Sequence, residues 1–286
     1  VHAPSGTLMR AITSQSATDE IFQLQDALAK QIVDSLSLSL TPREQDRMNR
    51  DTPADAEAYE LYLRGNQLQL DVAGWEGALE LYRRSVDRDP HFAPAWAKLG
   101  RCYRLVGKFG DPANASGNLI RGEQALKRAL EINADLSLAH HLYAYVEVEA
   151  GHAREAMVRL LTRVRHAGSE PELFAGLVHA CRYCGLLDAS AAAYERAHRL
   201  DPAVVTSVPQ TFLLMGDWER TVAVDRREPS IAKPTALYFL GRSNEALGML
   251  HPFMERNLHP QLRLAIGTLI AAFQSRSEHV SGTFKK

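Results

Sequence analysis

Apolar positions recur along this chain at two nested spacings. At the shorter one, Ile21, Leu24, Leu28, Ile32 and Leu36 follow one another at three or four residues, marking one face of a helix that Asp19 can cap. At the longer one, Gly122, Ala156 and Ser190 stand 34 residues apart, as do Leu126, Leu160 and Tyr194, and Ala134, Gly168 and Pro202. A small residue, a bulky one on the next turn and a helix break two turns later, all in one repeating frame, predict paired antiparallel helices stacked into a solenoid. The pattern specifies an all-α, helical-repeat fold.

Two devices, Thr41-Pro42-Arg43-Glu44 and Thr52-Pro53-Ala54-Asp55, each place a capping residue before a proline, so helices are expected to start there. The first pair runs from about Pro53 to Asp89, with Leu61 and Gly65 facing Ala78 and Tyr82 and a break at Asp89-Pro90. The second opens with Trp96-x-x-Leu99-Gly100-x-x-Tyr103, where Gly100 permits close helix approach. The third spans Leu136 to Ala167 and the fourth Pro171 to Pro202. Pro90 and Pro202 are 112 residues apart, three periods plus ten, and the surplus falls at Gly107 to Leu119, a turn-rich stretch expected to form an exposed loop. Gly151 and Gly185, again 34 apart, mark tight turns. Beyond Pro202 the frame fails, because Gly216 follows Gly185 by 31 residues and Gly241 follows Gly216 by 25. The expected organisation is a tail or upstream-domain end at 1–18, linking and capping helices at 19–52, and four repeats at 53–204. Degenerate repeats and a capping helix, Gln261 to Ser275, then fill 205–275, and a disordered tail occupies 276–286.

Composition narrows the partners. With 33 basic and 34 acidic side chains the net charge is −1, so no global field attracts nucleic acid or anionic lipid. No apolar run is long enough for a membrane span, and Val1 to Arg10 lack the order of a secretion signal. Three cysteines, Cys102, Cys181 and Cys184, fit a reducing, cytoplasmic setting better than a disulfide framework. The chain begins at Val1 rather than Met, which suggests a fragment of a longer polypeptide with an upstream domain.

The Trp96-to-Tyr103 string resembles the first-helix pattern of the tetratricopeptide repeat (TPR) family, as does 53–204 as a whole; 205–275 resembles it more loosely. Ala134, Gly168 and Asp225 depart from the family's preferences. The resemblance implies a right-handed superhelix whose first helices line a concave face. A second resemblance is narrower. Glu20-Ile-Phe-Gln-Leu-Gln-Asp-Ala-Leu-Ala29, Leu38-Ser-Leu-Thr41 and Ala58-Tyr-Glu-Leu-Tyr-Leu-Arg-Gly65 are similar to the junction between a TolB-like domain and a TPR array in bacterial signalling proteins. Those proteins can begin with a nucleotide cyclase, a Ser/Thr kinase or a winged-helix module, so the resemblance implies a regulatory context and carries over no catalytic residue.

Candidate chemistry is sparse. His179-x-Cys181-x-x-Cys184 has metal-ligand residue types, but on a helix His179 points away from the cysteines and no second pair follows, so Cys181 reads as core and no metal is expected. His140-His141, His251 and His259 lack ligand or catalytic partners at the right spacing and read as solvated or groove-lining. No phosphate loop or nucleophile elbow occurs, so neither an enzyme nor a cofactor is expected. The charge runs Asp87-Arg88-Asp89 and Arg226-Arg227-Glu228 read as solvated helix ends.

By the TPR resemblance, residues one and four after each small packing residue face the groove: Asn66 and Gln69, Arg101 and Arg104, Tyr145 and Val148, His179 and Arg182, flanked by Tyr62, His141 and Tyr183. Three arginines among aromatic rings suit a carboxylate or an acidic peptide. The set does not match the Lys/Asn/Arg carboxylate clamp of chaperone-binding relatives. The expected function is therefore a non-enzymatic scaffold binding a protein or peptide segment in the groove. The alternatives are a regulatory arm of a larger signalling protein and a self-association module exposing Phe239, Leu250 and Phe253.

Overall fold

The chain is described here by a computed structural model covering residues 51–70, 72–167, 170–224, 230–255 and 260–283, with side chains as far as Ser275. The expected tail at 1–18, nearly all of the capping helices at 19–52, Gly168, Asp225, the Arg226-Arg227-Glu228 run and His259 lie outside the described residues.

Among the described residues the α-helices are α1 Ala56–Leu68, α2 Trp75–Arg88, α3 Ala93–Phe109, α4 Ala115–Ile132, α5 Ser137–Glu149 and α6 Ala153–Ala167. There follow α7 Pro171–Tyr183, α8 Leu187–Leu200, α9 Val208–Met215, α10 Trp218–Ala223, α11 Ala232–Phe239, α12 Ser243–Met254 and α13 Pro260–Thr283. No strand is present among those residues. Each odd helix from α1 to α11 packs on the next even one, and α3, α5, α7, α9 and α11 also pack in succession on one another. The first helices from α3 to α11 therefore form one continuous layer, with a second helix packed on each, which is the helical-repeat solenoid. No described helix is long and apolar enough to cross a membrane.

Local chemistry sets the boundaries. Asp55, not Thr52, caps α1, accepting from the Ala58 N–H at 2.8 Å. Prolines occupy the first turns of α3, α7 and α9, where their missing N–H costs nothing. From the third pair on, every turn within a pair has one form: Gly151, Gly185, Gly216 and Gly241 all take φ between 75° and 89°. In each, the N–H after the glycine reaches back to close the helix: His152 to Glu147, Leu186 to Cys181, Asp217 to Phe212, Arg242 to Leu237.

Between helices, the small residues of the frame work by absence of bulk. A Cβ on Gly100 would stand 2.6 Å from Leu126 Cγ and 2.8 Å from the Gly122 carbonyl. At the place of Gly122 in the fourth pair, Ser190 fits because its hydroxyl donates to the buried Val178 carbonyl at 2.6 Å. Leu99, Cys102, Tyr82 and Phe92 form one core; Leu160, Leu173, Val178, Cys181 and Phe212 form another. Burial pushes the Cys181 thiol up to about 11, as befits a packed hydrophobe.

Several expectations change. The surplus of ten residues is mostly helix rather than loop: α3 runs on to Phe109 and α4 starts at Ala115, leaving Gly110 to Asn114 between them. Gly107, read as a turn, is instead a buried close-approach point, with Leu119 at 3.0 Å and the Ala115 carbonyl at 3.1 Å from where its Cβ would be. Asp89 is no solvated end, since it is buried and accepts from the N–H groups of Ala54 and His91. Leu250 is only 1% exposed and packs with Leu237, Ile266 and Phe273, while Phe253 is half-buried against the same core. Of the apolar trio proposed for self-association, only Phe239, at 52% exposure, remains on the surface, and there it stacks on Trp218 at 4.6 Å. The closing helix continues to Thr283, past the Ser275 at which its pattern fades.

Candidate functional site

The residues singled out on α1, α3, α5 and α7 lie in neighbouring positions of the first-helix layer, and the structure links them across repeats. Tyr62 packs edge-on against Phe92 at 5.0 Å and tilts on Tyr82 at 5.9 Å. Asn66 accepts from the Tyr82 hydroxyl at 2.7 Å and from Gln69 Nε2 at 3.1 Å, and Gln69 Oε1 accepts from Arg101 Nη1 at 2.9 Å. Arg104 donates to Glu149 through Nε at 2.9 Å and through Nη2, with its guanidinium 4.7 Å over the Tyr145 ring.

The α5 and α7 residues form a row of rings: His141 to Tyr145 at 5.6 Å, Tyr145 to His179 at 3.9 Å, His179 to Tyr183 at 4.8 Å. The i, i+4 spacing within each helix and the one-repeat offset between helices produce this alternation. Tyr183 is 60% exposed, whereas the two imidazoles are buried. Arg182 is buried too. Its Nη1 donates to the Ser207 carbonyl at 2.7 Å and hydroxyl at 2.9 Å, and its Nη2 to His179 Nδ1 at 2.9 Å. Arg182 thus ties α7 to the segment leading into α9 instead of standing parallel to Arg101 and Arg104. His140 likewise is not solvated: Nε2 donates to the Ala134 carbonyl and Nδ1 accepts from Arg159 on α6.

Electrostatics follow from this burial. Burial, then the charges of Arg182 and Arg104, drives His179 down to about 2, so its ring is neutral. With Nδ1 accepting from Arg182, the proton sits on Nε2, which has no hydrogen-bond partner among the described residues; neither has His141 Nε2. Burial pushes the Glu172 carboxyl up, but the 2.5 Å bond from His141 Nδ1, the charge of His141, and then Lys98 and Arg101, outweigh it and leave it below its usual value. Glu149 behaves alike, burial being outweighed by the hydrogen bond and charge of Arg104 and by Lys108, whose Nζ donates at 2.7 Å.

Lys98, Lys108, Glu149 and Glu172 were missed by the sequence reading, which sampled a single turn of each helix. Lys108 is one turn beyond Arg104, and Glu149 one turn beyond Tyr145. Continuing the same face by that turn finds both. Chemically, the row offers ring faces, charged donors and the neutral imidazole of His179, a set suited to holding a segment by stacking and hydrogen bonds. Among the described residues no group of three or more His, Cys, Asp or Glu could hold a metal ion. A second concavity, of about 780 Å³, lies between α8, α9 and α10, lined by Tyr194, His198, Phe212 and Arg220 among others.

No family model matches the chain. A segment of 83 residues is 34% identical to putative adenylate cyclase 3 of Rhizobium meliloti (strain 1021). That segment is 28% of this chain, and it spans only 14% of the cyclase. Among solved structures, a thermophilic TPR protein of Thermus thermophilus is similar at 21% identity and a TM-score of 0.44, over 65% of this chain and 91% of that one. YrrB, a TPR protein described as having an unusual peptide-binding site, is similar at 15% identity and a TM-score of 0.33, over 74% and 90% of the two chains. The Cut9 and Hcn1 assembly of APC/C gives 15% identity and a TM-score of 0.39, over 91% of this chain and 47% of that one.

Proposed function

We propose that this chain is an interaction scaffold whose first-helix face, from α1 to α7, binds an extended or helical segment of a protein partner. One observation carries the reading: side chains from three successive first helices, α3, α5 and α7, meet where Arg104 lies over Tyr145 in a row of rings from His141 to Tyr183, with Tyr183 open to solvent at its end. Core packing does not account for the row, since His141, Tyr145, His179 and Tyr183 belong to none of the hydrophobic cores between the helices of the first four pairs.

Peptides selected from a display library against the full chain provide the test. The reading expects binding to be lost with Lys98→Glu and Arg104→Glu on the row and retained with Arg83→Glu and Lys127→Glu on α2 and α4. The reverse pattern would move the interface to the second-helix layer.

A second reading, that the array is the regulatory arm of a larger signalling protein, is supported by the 34% identity to a putative adenylate cyclase. Sequencing the complete reading frame tests it. An upstream cyclase, kinase or winged-helix module supports the reading, and a frame starting immediately before Val1 removes it.

A further inference from the structure

The two carboxylates beside the row are held in opposite ways. Glu172 is in the first turn of α7, where the positive end of the helix dipole favours a negative charge. Glu149 is the last residue of α5, where the dipole opposes it. What keeps Glu149 in place comes from α3: the side edge of Arg104, presenting Nε and Nη2 to both carboxylate oxygens, and the ammonium of Lys108. Tyr145 lies beneath the guanidinium and fixes its plane. The three partners stay partly exposed, with side-chain exposures of 14% for Arg104, 28% for Glu149 and 36% for Lys108, so water and solutes reach the cradle.

We propose that this cradle of Arg104, Lys108 and Tyr145 is a carboxylate subsite for an acidic peptide segment, and that Glu149 is its internal occupant, displaced when the ligand binds. The proposal rests on the reading that the first-helix face binds a peptide. Charge complementarity selects the ligand. Arg104 and Lys108 both hold Glu149, so swinging Glu149 out leaves two cations beside the Tyr145 ring that an anionic segment neutralises. A Glu or Asp side chain on an extended segment brings the same carboxylate without opposing a helix dipole.

Fluorescence anisotropy on the full chain tests this with a short labelled peptide of alternating Glu and Ala and its Gln/Ala counterpart. The wild type binds the Glu/Ala probe and not the Gln/Ala one. Glu149→Gln, isosteric and uncharged, tightens binding about fivefold, the scale of one partly exposed ion pair. Arg104→Gln and Lys108→Gln each weaken it by a similar factor, with helical circular dichroism unchanged in all three variants. Unchanged or weaker binding by Glu149→Gln overturns the displacement, and equal binding of both probes overturns the carboxylate subsite. If the Glu/Ala probe fails while a display-selected peptide binds and is lost with Lys98→Glu, the inference falls and the groove reading stands. If no peptide of either kind binds, both fall.

Discussion

The helix pairs from α1 to α8 and the two from α9 to α12 pack by different means, although the third and fourth pairs share their glycine turn with the later two. In the first region helices approach through missing side chains: a Cβ on Gly65 would lie 2.8 Å from the Tyr82 ring, and one on Gly176 3.0 Å from Leu160. In the second region the helices are short, with α9 and α11 of 8 residues and α10 of 6, and rings replace the close approach. Trp218 stacks on Phe239, and Tyr238 on Phe273 at 4.0 Å. Helix length, set by the repeat, can change while turn chemistry persists, because the left-handed glycine and its closing hydrogen bond are local.

The contrast breaks most sharply at glycines. Gly100→Val places atoms inside Leu126 and the Gly122 carbonyl and should cost about 3 kcal/mol or more in urea unfolding. Arg182→Met comes next. Because Arg182 bridges α7 to Ser207 at the junction of the two regions, its loss should cost about 3 kcal/mol and let α9 to α12 exchange amide hydrogens before α1 to α8.

Acid should attack the first region through its buried histidines. The folded pKa values of His140, about 4, and His179, about 2, lie below the ordinary 6.5, so the unfolded chain binds more protons. Each contribution is complete above about pH 6.5, declines as pH falls, and is exhausted only below the folded value. Between pH 7 and pH 5 each histidine should remove about 1–2 kcal/mol, and His179→Gln should flatten the slope of stability against pH. Glu149 and Glu172, with lowered pKa values, add their loss only below the ordinary carboxylate range. The smallest effect has the opposite sign. Gly248→Ala in α12, where a new Cβ meets nothing within 4 Å, should stabilise by about 0.5–1 kcal/mol, a gain that Gly100→Ala cannot show.

The repeat frame, the turn glycines and the ring positions His141, Tyr145, His179 and Tyr183 were legible in the sequence because each depends on spacing within one or two helices. The insertion was not, because Gly107 and Gly117 look like turn residues and sit in helices, one for a close contact and the other with open space around it. Leu250 could not be told from a surface leucine until α13 was seen to cover it. Within the candidate site, positions were readable and partners were not. Arg104 meets Glu149 45 residues away, and Arg182 meets Ser207 25 residues away, pairings set by how repeats stack rather than by any local pattern.

Hydrogen exchange of the full chain with and without a display-selected peptide tests the central claim most directly. Slowed exchange concentrated in α3, α5 and α7 is the predicted result. Protection confined to α2, α4 and α6 would contradict the assignment of the first-helix layer as the binding face.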